Sequence, residues 1–279
     1  ARSVQVGLRV VSACRRDIDI ERLRLEQPRV RVVVYADGRT NLPQPEIARR
    51  SNLNAIEQML ALAIRNFSVE DGLLELDSRK IPLNLEAERV ELRLFYDQRG
   101  PAYTGRIESD AVRLRAPFAL PSPLRLSSAL MLRGDEIRLS DVSVSTNQST
   151  VKMNGRIRGL AAPRAEFRFD SDLSLDELSK FLRVPAVSGG RLALAGNGSF
   201  GGSGGYRFDG RLSGTGLVYQ HGGIRLSGIR LTSRFESANA TVTLSDVSVS
   251  ALGGVFKGAA ALKPAGDFLM GAAILRYFY

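Results

Sequence analysis

Apolar and polar side chains alternate along most of this chain. Val4, Val6, Leu8 and Val10 form one line, followed by Ile18 and Ile20, Leu23 and Leu25, then Val30, Val32 and Val34. A period of two is what a strand with one buried face requires. The pattern returns at Phe67 and Val69, Leu74 and Leu76, Leu83 and Leu85, and Val90, Leu92 and Leu94. It continues through Tyr103, Ile107, Val112 and Leu114, then Leu124, Leu126, Leu130 and Leu132. Turn signals punctuate it at Asp37-Gly38, Glu70-Asp71-Gly72, Asp97 to Pro101 and Gly134-Asp135. Pro28 predicts an edge, bulge or turn between its flanking strands.

One alternating phrase occurs twice. Leu139-Ser140-Asp141-Val142-Ser143-Val144-Ser145 is repeated, residue for residue, as Leu244-Ser245-Asp246-Val247-Ser248-Val249-Ser250. Such self-similarity predicts a repeating β architecture that presents a surface or scaffold. Two short helices interrupt the strands. The first is expected over 54–64, with Asn52 or Asn54 as cap and Ile56, Met59, Leu60 and Ala63 as its apolar stripe. The second starts at Ser174, which has capping-box spacing to Glu177. Its apolar side is Leu175, Leu178, Phe181 and Leu182, and Pro185 follows as a stop.

Composition then shifts. Positions 189–228 hold 14 of the 27 glycines, interleaved with apolar residues such as Leu192, Leu194, Phe200, Tyr206, Phe208 and Leu212. A flexible linker would lack those apolar positions, so short strands, tight turns and sharp bends are expected. The chain is read as an all-β protein: an extended, curled antiparallel sheet with two short helices. Residues 1–172 would form one segment, and 173–279 a helix-started, glycine-rich one. The common apolar face must be covered. Either it folds onto itself as a packed core, or it remains a trough lined by Val, Leu, Ile and Phe. Exposure of such a trough costs about 25 cal/mol per Å² unless an apolar ligand fills it. Periodicity does not choose between the two.

Charge adds a basic surface. The formal net charge is +10, and the five lysines, Lys80, Lys152, Lys180, Lys257 and Lys263, leave 34 arginines among 39 basic residues. Those arginines stand singly between apolar neighbours, as in Leu23-Arg24-Leu25, and read as the wet face of strands. Nucleic-acid binding is not expected, because aromatics are only 7% and most fall in the apolar phase, Tyr206-Arg207-Phe208 included. The single Cys14 and single His221 offer neither a disulfide nor a metal set. Gly201 to Gly205 lacks the Lys-Ser/Thr of a phosphate loop. Carboxylates at Glu70, Asp71, Asp135 and Glu136 fall beside turn signals, so no catalytic pair, cofactor site or metal site is expected and the chain is read as non-enzymatic. The start at Ala1 and the strand-like run Ile274 to Tyr279 predict a fragment of a longer protein.

One family matches these residues in style. The segment Ile20 to Val32, closed by Tyr35-Ala36-Asp37-Gly38-Arg39-Thr40-Asn41-Leu42-Pro43, resembles the opening strands of AsmA-like and TamB-like envelope proteins. Ile64 to Leu76 resembles their second hairpin, and Ser174 to Leu182 with Gly189-Gly190-Arg191-Leu192 resembles their short helix leading into a glycine-started strand. The resemblance implies a periplasmic segment anchored to the inner membrane by an upstream helix. Its repeating β-groove would hold or conduct phospholipid acyl chains towards the outer membrane. The alternative is a scaffold for outer-membrane protein assembly without lipid conduction. The implied lining comprises Val30, Val32, Val34, Leu74, Leu76, Leu92, Leu94, Val142, Val144, Val247 and Val249. An outer-membrane barrel assembly protein is an implied partner through regions outside this segment, since neither the anchor nor a terminal partner-binding domain is recognisable here.

Overall fold

A computed structural model describes residues 1–10, 18–36, 41, 63–78, 83–115, 123–159, 163–182, 186–201, 205–238 and 241–262. In chain order the strands are β1 (Ser3–Val10), β2 (Ile18–Glu26), β3 (Arg29–Val34), β4 (Asn66–Ser78), β5 (Leu83–Asp97), β6 (Ala102–Arg115), β7 (Leu124–Arg133), β8 (Glu136–Ser145), β9 (Thr150–Arg158) and β10 (Arg164–Ser174). Helix α1 (Leu175–Leu182) follows, then β11 (Val187–Ser188), β12 (Arg191–Gly201), β13 (Tyr206–His221), β14 (Ile224–Ala238), β15 (Thr241–Ala251) and β16 (Gly254–Leu262). Two compact units divide the chain. The first holds β1 to β8 as far as Val144, together with Asn154–Arg164; the second holds Ser145–Met153 and β10 from Ala165 onward with the elements that follow it.

Strand neighbours run β1-β2-β4-β5-β6-β7-β8-β9-β10-β12-β13-β14-β15-β16, with β3 also on β4 and β11 on β13. The sheet is therefore open, since β1 and β16, at the two ends of that order, are not neighbours. The curl expected from the sequence is corrected. Alternation dictates which side chains share a face, whereas curl depends on the twist and stagger between strands, which a period of two does not encode. Among the described residues α1 is the one helix. The expected helix at 54–64 lies outside them except for Ala63 and Ile64, which are not helical.

Pairing is mostly antiparallel, as hairpin-length links demand. The exception is at the start. Arg22–Glu26 of β2 runs parallel to Asn66–Glu70 of β4, and β3 continues beside the same strand, with Val30 opposite Leu74 and Val32 opposite Leu76. Pro28, buried at the junction of β2 and β3, marks the interruption its missing N–H predicts. The residues between β3 and β4 supply the length a parallel crossover needs.

Asp71 corrects a second expectation. Glu70-Asp71-Gly72 does not reverse the chain; it lies within β4, where Asp71 takes φ +51° and the register with β5 shifts between Val69 and Gly72. Arg89 in β5, Asp141 in β8 and Asp246 in β15 repeat the conformation, at φ +50°, +51° and +52°. A single left-handed residue in a strand makes a bulge. Each bulge leaves the carbonyl before it in need of a donor, and each has one within reach. Gln27 N–H donates to Glu70 O at 2.8 Å, and Ser109 Oγ donates to Glu88 O at 2.7 Å. Ser128 Oγ lies 3.4 Å from Ser140 O and 2.9 Å from Ala129 O, and Ser233 Oγ lies 2.9 Å from Ser245 O and 2.8 Å from Arg234 O, so each hydroxyl's one proton is shared between two carbonyls.

The last two cases explain the repeated phrase. Its Leu-Ser-Asp is a bulge, and its Asp is the left-handed residue. The repeat also reaches into the preceding strand, where Arg125-Leu126-Ser127-Ser128 corresponds to Arg230-Leu231-Thr232-Ser233. Both Ser128 and Ser233 are buried. Removing the Ser233 hydroxyl by Ser233→Ala takes a donor from the Ser245 and Arg234 carbonyls. The expected loss is about 1–2 kcal/mol in urea unfolding. Asp246→Gly keeps the backbone conformation and is expected to hold stability within about 1 kcal/mol of wild type. Equal stability of wild type and Ser233→Ala would show that the hydroxyl does not hold the bulge.

Candidate functional site: the apolar faces

In the first unit the apolar face is filled by its own side chains. Ile64, Leu94 and Tyr103 are buried to 3%, 2% and 0% exposure, with Ile20, Leu23, Phe67, Leu92, Tyr96, Leu130, Leu132 and Ile137 packed against them. Register explains the convergence. Phe67 faces Leu94, Leu94 faces Gly105, Gly105 faces Leu130, and Tyr103 lies between Tyr96 and Leu132. Gly105, where a Cβ would overlap the Arg93 carbonyl, lets β5 and β6 approach closely. The Tyr96 and Tyr103 rings stand 5.1 Å apart. Burial pushes the Tyr103 phenol above its ordinary pKa, opposed by a backbone hydrogen bond at Ile64.

The second unit presents rings instead. Phe167 and Phe169 of β10, Tyr206 and Phe208 of β13 and Phe235 of β14 all alternate onto one face, and all remain half-buried. Phe167 meets Phe208 edge-on at 5.7 Å, Phe169 lies 6.3 Å from Phe235, and Tyr206 lies 5.7 Å from Phe208. These separations suit favourable aromatic pairing. Between β10 and β13 runs β12, and glycines make the contact possible. Gly198 is opposite Phe208, and Gly196 is opposite Gly210. A Cβ built on Gly198 would overlap the Phe167 ring.

The expected lining residues fall into separate groups. Val30, Val32, Leu74 and Leu76 are brought together across β3 and β4. Val30 stays 46% exposed, whereas Val32, Val34, Leu74 and Leu76 are half-buried. Leu92 and Leu94 belong to the filled cluster. On β8, Val142 is buried and Val144 half-buried. Val247 and Val249 are half-buried on β15, with Val249 opposite both Leu231 and Phe256. The ring patch was absent from the expected lining. Its signal was Phe167-Arg168-Phe169, Gly196-Asn197-Gly198 and Tyr206-Arg207-Phe208, three alternating triplets whose phases match once the strands pair.

Around α1 the polar groups are structural. Glu177 does not reach back to the Ser174 backbone as a capping box would. It accepts hydroxyl bonds from Thr146 at 2.5 Å and Ser149 at 2.6 Å, while Ser149 Oγ accepts the Ser174 N–H at 3.0 Å. Asp176 accepts Gly189 N–H at 2.9 Å. The first helical turn is thereby tied to the loop after β8 and to the glycines before β12.

Opposite the apolar faces, arginines pair with carboxylates. Arg138 and Arg158 both meet Glu136, at 3.0 and 2.8 Å, and hold its carboxyl below the usual range by hydrogen bonding, Arg158 first. Arg191 does the same for Asp172 at 2.6 Å, and Arg89 for Asp110 at 2.8 Å. Among the described residues no group of three or more His, Cys, Asp or Glu is placed to hold a metal. No helix among them is long and apolar enough to cross a membrane. Cys14 lies outside the described residues, and His221 is exposed at the end of β13. No family model, curated protein or solved structure matches the chain.

Two outcomes test this geometry. Gly198→Ala forces Phe167 from its seat and is expected to cost about 1–3 kcal/mol in urea unfolding. Retained stability would mean that the ring moves freely. A carboxylate with a lowered folded pKa contributes stability above its unfolded value of about 4.3, lost as pH falls through the folded value. Glu136→Gln should therefore lower the urea midpoint slightly at pH 7, with no difference from wild type once the carboxylate is protonated near pH 2. A deficit that persists in acid would assign the effect to packing.

Proposed function

We propose that this chain is a non-enzymatic segment that holds or conducts phospholipid acyl chains on an apolar sheet face between the inner and outer membranes. The anchoring helix and any contact with an outer-membrane barrel assembly protein would belong to regions outside it. The observation that carries this reading is the half-buried patch of Phe167, Phe169, Tyr206, Phe208 and Phe235. Charged neighbours such as Arg168, Arg207 and Glu236 alternate onto the opposite, exposed face. Contiguous apolar surface at about 25 cal/mol per Å² favours an occupant. Acyl chains fit because they ask for no hydrogen bonds, and the patch offers aromatic carbon rather than convergent polar groups. The resemblance to AsmA-like and TamB-like proteins supports the same class of ligand.

A second reading, a scaffold without lipid conduction, is favoured by the Ile64, Leu94 and Tyr103 cluster. There the sheet face is occupied by the protein's own side chains. The two readings separate in one experiment. Photo-crosslinking probes placed at Phe169 and Leu94 are exposed to phospholipid vesicles. The lipid reading expects acyl adducts at Phe169 and none at Leu94. Phe208→Asp, which puts a charge within the patch, is expected to reduce the Phe169 adduct at least about tenfold while circular dichroism stays that of a β protein. Absence of acyl adducts at Phe169 in the wild-type chain would overturn the lipid reading.

A further inference from the structure

The polar faces carry a charge arrangement that is found in both units. On β5 and β6, Glu91 stands directly opposite Glu108, and two residues along Arg93 stands directly opposite Arg106. On β13 and β14, Asp209 stands opposite Glu236, and Arg211 opposite Arg234. Both are the same tile: a row of two acids and, on the same face, a row of two arginines. At about 3.4 Å per residue the rows are about 7 Å apart. All eight side chains are exposed except Glu91, which is half-buried and accepts Asp71 N–H at 3.1 Å.

Opposed like charges disfavour strand pairing, and the neighbours relieve them only in part. Arg106 reaches Glu108 at 3.5 Å, Arg234 reaches Asp246 at 3.3 Å and Arg207 reaches Glu236 at 3.5 Å. Among the described residues no carboxylate lies within ion-pair distance of Arg93 or Arg211. An anion at the arginine row would sit beside the acid row, so a lone phosphate is a poor occupant. A surface that brings both signs is a good one, and the tile itself is such a surface. A two-fold axis in the plane of the face, crossing the strands midway between the rows, lays each arginine row on the partner's acid row. Arg211 then meets Asp209 of the second copy, and Arg234 meets Glu236.

We propose that these two tiles are self-complementary docking surfaces through which copies of this chain associate, polar face to polar face, in an isologous contact. Exposed ion pairs are individually weak, so the association is weak, salt-sensitive and dependent on several pairs at once.

Sedimentation equilibrium of the 279-residue chain tests it with two complementary variants. The all-acid form carries R93E, R106E, R211E and R234E; the all-basic form carries E91R, E108R, D209R and E236R. Wild type is expected to self-associate at low ionic strength and to dissociate as salt rises. Each variant alone is expected to self-associate at least about tenfold more weakly, and an equimolar mixture is expected to associate again. The control R168E/R230E changes exposed arginines outside the tiles and should behave as wild type. Circular dichroism confirms that each variant is folded, and a single-tile pair, R211E/R234E against D209R/E236R, replaces any form that is not. A monomeric wild type at low salt, a mixture that fails to associate, or a control as impaired as the variants would overturn the proposal. Wild-type binding of inorganic phosphate at the arginine rows without self-association would also overturn it.

Discussion

The structure depends on how its bulges are satisfied. A left-handed residue inside a strand breaks the ladder and leaves a carbonyl without its strand partner, a position that is costly without another donor. Four strands accept this defect, at Asp71, Arg89, Asp141 and Asp246. In three of them the neighbouring strand supplies a serine hydroxyl, from Ser109, Ser128 or Ser233. In the fourth it supplies the backbone N–H of Gln27, itself left-handed at φ +50°. The buried serines are thus part of the strand pairing. They allow the alternating pattern to pass through an extra residue with its apolar side chains still on one face.

That continuity gives the two units different faces. In the first, Leu92, Leu94 and Tyr96, all beyond the Arg89 bulge on β5, converge with Ile64 on Tyr103 and close the surface there with their own side chains. In the second, Gly198 leaves the room that the Phe167 ring fills, while Gly196 and Gly210 let the backbones of β12 and β13 approach closely. The rings then meet one another. Burial is the same kind of interaction in both places. What differs is the covering group: the first cluster closes on Ile64, Leu94 and Tyr103, whereas in the second ring meets ring.

Much of the site was legible as alternation. Tyr206 and Phe208 fall on the apolar side, as their spacing requires, and Val30, Val32, Leu74 and Leu76 meet because both strands keep the period of two. The repeated phrase was legible as a strand pair. Its Asp read as one more polar position, because alternation across Leu-Ser-Asp-Val does not reveal which residue is extra. The ring patch was hidden for another reason. Phe167, Gly198, Phe208 and Phe235 are scattered over more than sixty residues and become neighbours only through the registers of β10, β12, β13 and β14.

Alone, the amino-acid order determined the strands, their two faces, the short second helix and the tight turns at Gly134-Asp135 and Asp97 to Pro101. Each of these is set by contacts within a few residues. Tertiary structure decided that Asp71 is a bulge and not a turn, that β2 and β3 lie parallel to β4, and that the sheet is open. It also decided which part of the apolar face is filled and which is left to rings. Those outcomes rest on register between strands far apart in the chain, and a period of two is satisfied equally well by every register that keeps the same side chains inward.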